Sequence, residues 1–120
     1  HARALCPEDF YIWSGNDDQV VPMMALGAKG VISVASNIIP EPMAELCRLC
    51  LAGDFEHAVS LQIKYTGLFD ALFADINPIQ IKTAMNLLGM DMGGLRLPLC
   101  APSEANLQRL KQELIQLELL

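Results

Sequence analysis

The chain has 120 residues, 52% of them apolar, with a mean hydropathy of +0.32 and a formal net charge of −6. An acidic balance without a polybasic run excludes an electrostatic nucleic-acid footprint and an anionic membrane partner, and a plain cytoplasmic protein is expected. The apolar fraction is high for a small free-standing domain and suits a segment that buries several faces against further chain.

The sequence begins at His1, with no charged region leading an apolar signal core, so a processed or truncated N-terminus is expected. Residues 10–14, Phe-Tyr-Ile-Trp-Ser, form an aromatic and β-branched run closed by Gly15, the pattern of a buried strand. A turn at Gly15-Asn16-Asp17-Asp18 follows, in which Asp17 or Asp18 can cap a short helix over 18–26 that stops at Gly27. Residues 30–34, Gly-Val-Ile-Ser-Val, read as a second strand, apolar on both faces as parallel strands are. Residues 20–40 are apolar enough to need a membrane check, but Pro22, Gly27, Lys29 and Gly30 interrupt them and the two halves have different periods. Strand, short helix and strand make one β-α-β crossover.

Pro40 and Pro42 open a helix that runs to Ala52 and stops at Gly53, because proline is tolerated in the first turn. Asp54 can cap a long helix to about Ala74. Its apolar positions cover more than one stripe, so burial on two sides and a domain or subunit contact are expected. Asn77 is the expected cap of a further helix with Pro78 at its first position and Gly89 at its end. After a loop, Ser103 caps a last helix with Leu107, Leu110, Leu114 and Leu117 on one face, more suited to packing on a neighbour than to a zipper.

Chemistry-bearing residues are few. Cys47 and Cys50 form a Cys-x-x-Cys pair inside a helical run, but a zinc site needs two further ligands at suitable spacing, so these and Cys6 and Cys100 read as reduced thiols, and no metal or cofactor is expected. A Schiff-base lysine would have to end a strand. Lys29 precedes one, and Lys64, Lys82 and Lys111 lie on helices where they should extend to solvent. His1 and His57 have no nucleophile beside them, so no catalytic residue is assigned to this chain. Ligands in barrels and open sheets bind at the C-terminal strand ends, here 14–17 and 34–37, which are small and polar. These segments read equally as ordinary turns and caps. Asp17 and Asp18 disfavour a phosphate at the first; a small neutral or singly charged ligand fits better.

Ser14-Gly15-Asn16-Asp17, the run Leu26 to Asn37 containing Gly-Val-Ile-Ser-Val-Ala-Ser-Asn, Asn77-Pro78-Ile79 and Leu95-Arg96-Leu97-Pro98-Leu99 together resemble the 4-hydroxy-tetrahydrodipicolinate synthase family, in order and through essentially the whole chain. The Gly-Val-Ile-Ser element alone is shared with N-acetylneuraminate lyase and other pyruvate-dependent aldolases. The resemblance implies an α/β fold, the C-terminal part of a (β/α)8 TIM barrel. Residues 1–52 would be its last two strand-helix units and residues 53–120 a C-terminal three-helix domain, in a cytoplasmic homotetramer. It implies condensation of pyruvate with L-aspartate 4-semialdehyde through a lysine Schiff base. Ile32 matches the position whose backbone meets pyruvate, and Gly15, Asn16 and Asn77 match pocket positions. Asn16 stands where some members carry aspartate, and Gln80 replaces a common proline. The Schiff-base lysine belongs to the preceding strand, in a missing N-terminal barrel part, so this chain alone is expected to be inactive. A sugar-acid aldolase is the second enzyme reading. A stand-alone helical interaction module is the third, and the unpaired strand edges argue against it.

Overall fold

The computed structural model describes residues 1–120, in two compact units, His1–Tyr65 and Thr66–Leu120. The division falls within one long helix.

In the first unit, α1 (Ala2–Leu5) is a single turn the sequence does not announce. Two extended segments then lie parallel. Lys29 N–H donates to Ile12 O at 2.8 Å, Ser14 N–H to Gly30 O at 2.9 Å, and Ile32 N–H to Ser14 O at 2.9 Å. These are the stretches expected as strands 10–14 and 30–34, and that expectation is corrected: the pairing amounts to one isolated parallel bridge, Ser14 to Val31. Parallel strands are stabilised by neighbours on both sides and cover on both faces, whereas Tyr11 and Ile32 are 64% and 71% exposed. Alternation of residue types specifies an extended chain, but a regular ladder needs partners.

Between the segments, a 3-10 turn (Asp17–Gln19) leads into α2 (Val20–Ala25), with Pro22 inside its first turn and Gly27 at φ +97° after it. A second 3-10 turn (Ala35–Asn37) precedes α3 (Pro40–Ala52), whose limits are those expected. Its Met43, Leu46 and Cys50 are buried at helical spacing, and Gly53 in the left-handed conformation donates its N–H to Cys50 O at 3.1 Å. Helix α2 packs against α3. Helix α4 (Phe55–Leu72) begins at Asp54, whose Oδ1 accepts the His57 N–H at 3.3 Å. From its first half Gln62 reaches the start of α2: Oε1 accepts the Val21 N–H at 3.0 Å, and Nε2 donates to Asp18 O. A side chain 41 positions away thus satisfies one of the orphan donors of a helix start. Burial of α4 is narrower than expected. Ala58, Tyr65, Leu68, Phe69 and Leu72 are buried, while Val59 and Ile63 within the helix and Phe73 just after it are 42%, 68% and 38% exposed.

In the second unit, α5 (Ile79–Leu87) is entered differently from the expectation. The N-cap position is Pro78, without a side-chain cap, the Asn77–Pro78 bond is cis, and Ile79 N–H closes a turn onto Ile76 O at 3.0 Å. Asn77 is therefore exposed beside the helix and does not cap it. The polar node is Asp75: its Oδ2 accepts from Gln80 Nε2 at 2.6 Å and from Asn106 Nδ2 at 2.9 Å, joining α5 to α6 (Glu104–Gln116). Ser103 caps α6 as expected, its Oγ accepting the Asn106 N–H at 3.2 Å. Leu110 and Leu114 are buried, with Leu107 and Leu117 half-buried on the same face. Lys82 lies on α5, as expected, and its Nζ donates to Gly94 O at 2.6 Å in an exposed hydrogen bond. Asn86 holds the same loop, through Nδ2 to Gly93 O at 3.1 Å and through Oδ1 from Met92 N–H at 2.6 Å. No helix of the chain is long and apolar enough to cross a membrane.

Candidate functional site

The parallel pair brings three of the four expected pocket residues together. The Ile32 N–H is bonded to Ser14 O, so the Ile32 backbone lies beside Gly15 and Asn16 at one end of the pair. Lys29 is bonded to Ile12 at the other. Ser14 is fully buried and closes the turn: its Oγ donates to Asn16 O at 2.8 Å and accepts the Asn16 N–H at 3.2 Å. This is the local side-chain bonding that serine offers at turns. Gly15 follows in an exposed, open position, where an added Cβ would meet nothing within 4 Å, and its φ is not positive. Neither packing inside the chain nor backbone conformation requires glycine there. Asn77 lies in the second unit, at the turn before α5.

The residue that sequence reasoning misplaced is Asp17. It reads as a helix cap, but the N-cap position is Asn16 and makes no side-chain bond. Asp17 is 0% exposed, and its Oδ2 accepts the N–H groups of Val34 at 3.1 Å and Ala35 at 2.9 Å. It therefore ties the turn after the first extended segment to the residues just beyond Ile32. Its Oδ1 is buried without a partner. The only hint in the sequence is that two adjacent aspartates precede a helix that one could cap.

Cys47 and Cys50, on α3, are free thiols. Burial pushes both above the ordinary thiol value; the Val31 N–H partly offsets this at Cys47, and the neighbouring Cys47 adds to it at Cys50. They are protonated at neutral pH, which suits their reading as small hydrophobes. No group of three or more His, Cys, Asp or Glu side chains is placed to hold a metal ion.

Known proteins give this geometry a context. The model of the dihydrodipicolinate synthetase family matches residues 1–117. The 4-hydroxy-tetrahydrodipicolinate synthase of Clostridium novyi is 51% identical over 112 residues, which is 93% of this chain and 38% of that protein. Among solved structures, the dihydrodipicolinate synthase of Aquifex aeolicus superposes with a TM-score of 0.91 at 45% identity, covering 94% of this chain and 39% of that one. That of Cyanidioschyzon merolae, described with lysine bound, superposes with a TM-score of 0.93 at 37% identity, covering 98% and 40%. The chain thus spans about 38% of the length of the curated relatives it matches. With the whole succession of motifs matched and the backbone superposed throughout, the chain belongs to the dihydrodipicolinate synthetase family.

Proposed function

We propose that this chain supplies one wall of the active site of a 4-hydroxy-tetrahydrodipicolinate synthase. That lyase condenses pyruvate with L-aspartate 4-semialdehyde in lysine and diaminopimelate biosynthesis. In this reading the two extended segments are the last two strands of a (β/α)8 barrel, residues 53–120 form its helical C-terminal domain, and the assembled protein is a cytoplasmic homotetramer. The Schiff base forms on a lysine of a preceding strand outside this chain; its amine adds to the pyruvate ketone and water leaves.

The observation that carries the proposal is the register of the parallel pair, which sets the Ile32 peptide beside Gly15 and Asn16 at the C-terminal end of both segments. Barrel enzymes place their ligands at that end. The Ile32 N–H is already held by Ser14, so the group this residue offers a ligand is its carbonyl. Open space above Gly15 is what a substrate approaching the backbone requires.

The test is borohydride trapping of the intact enzyme with pyruvate, followed by turnover assays. Pyruvate with aspartate semialdehyde should give product, and pyruvate with N-acetylmannosamine should not. The reverse preference would assign the chain to a sugar-acid aldolase instead.

A further inference from the structure

We infer that Asp17 is a positioning residue for the pyruvate-facing backbone, a buried clamp that fixes the Ile32 peptide relative to the Gly15-Asn16 turn. The inference rests on the functional reading above. Only one bridge joins the two extended segments, and its last hydrogen bond, Ile32 N–H to Ser14 O, lies at the ligand end. A single bond of that kind leaves the following residues free to swing. Asp17 removes that freedom. It sits three residues after Ser14, is fully buried, and takes the Val34 and Ala35 N–H groups on one oxygen at 3.1 and 2.9 Å. Ile32 is then held from both sides, through its own N–H and through the Val34 and Ala35 amides two and three residues further on.

Local stability alone is a poor account of this arrangement. Oδ1 is buried without a hydrogen-bond partner, which sets a desolvation cost against the two bonds made by Oδ2. Nor is Asp17 the cap of the helix that follows it: Val21 N–H in α2 is taken by Gln62 instead. What the two bonds achieve is register between the two loops that flank the pocket, and sites depend on backbone groups held to a fraction of an ångström by such supporting bonds.

The experiment compares Asp17→Ala and Asp17→Asn in the intact enzyme, because the asparagine carbonyl can accept the same two N–H groups without a charge. Asp17→Ala should raise the pyruvate KM on the order of tenfold or more, as misplacement of a binding group does, with kcat changed less. Hydrogen exchange at the Val34 and Ala35 amides should accelerate. Asp17→Asn should keep both amides protected and stay near the wild-type KM. A wild-type KM in Asp17→Ala overturns the clamp. So does a raised KM in Asp17→Asn with both amides still protected, since the charge would then act on the ligand directly. If Asp17→Ala fails to fold, Asp17→Asn decides alone: protected amides with a normal KM uphold the clamp, and protected amides with a raised KM overturn it. Absence of pyruvate turnover in the wild type would fail the functional reading, while the exchange comparison would still report on the clamp.

Discussion

Gly15 and Gly30 border the same parallel pair, yet only one of them is held to glycine by its neighbours. A methyl group on Gly30 would lie 2.7 Å from Trp13 Cζ3 and 3.0 Å from Cε3, so the ring must move off the backbone. Gly30→Ala should therefore destabilise by about 1–3 kcal/mol, the usual cost of overpacking, read as a lowered urea midpoint with unchanged slope; an unshifted midpoint would refute the contact. Gly15→Ala, with open space around it, should stay within about 0.5 kcal/mol of the wild type while weakening pyruvate binding in the intact enzyme. Legibility at this scale follows the range of the interaction. Ser103 is readable because it bonds the N–H three residues ahead. Asp17 is not, because the groups it serves lie 17 and 18 positions away. Asn77 misleads for the converse reason: Asn-Pro is a good local start signal, but the turn built on Ile76 takes its place.

Helices α3 and α6 are where the sequence could place them, since proline at the start and glycine at the end of α3, serine at the start of α6, and apolar residues at helical spacing in both all act within the element. The extended segments depend instead on partners, which is why two well-patterned strands resolve to one bridge. Helix α4 offers a test of an end signal. Asp54 accepts from the His57 ring Nδ1 at 2.9 and 2.8 Å and from the His57 N–H at 3.3 Å. The ring bond first, and the backbone bond after it, hold the Asp54 carboxyl below the ordinary carboxyl value. Because the folded value is the lower one, the stabilisation is present above the unfolded value of about 3.9 and is lost as pH falls through the folded value. The stability gap between the wild type and Asp54→Ala should thus persist at neutral pH and close only in acid. An Asp54 titration midpoint, followed by NMR, at or above that of an unfolded peptide would sink this account.

At the scale of the molecule, the apolar excess of the composition reappears as surface. In the first unit Leu5, Leu26, Ile32 and Ile63 are 83%, 76%, 71% and 68% exposed, and in the second Leu97 and Ile76 are 91% and 73% exposed. Scattered apolar residues are normal on a monomer, but the parallel pair also presents extended backbone with no neighbouring strand. A chain of this kind should be poorly soluble alone, should bind a hydrophobic dye, and should become soluble when co-expressed with the N-terminal segment proposed above to complete the barrel. Its chemistry should follow the same division. Within the first unit Lys29 lies at the far end of the pair from Gly15 and Ile32, and Lys64 is exposed on α4 with its Nζ 5.4 Å from the Tyr65 ring. Both are exposed and neither follows the C-terminal end of an extended segment, where a Schiff-base lysine meets its ketone. The 120-residue chain treated with pyruvate and borohydride should gain no adduct mass, and the co-expressed pair should gain one pyruvate-derived adduct, on the partner segment. An adduct on a lysine of this chain would move the covalent step into it and overturn the division of labour proposed here.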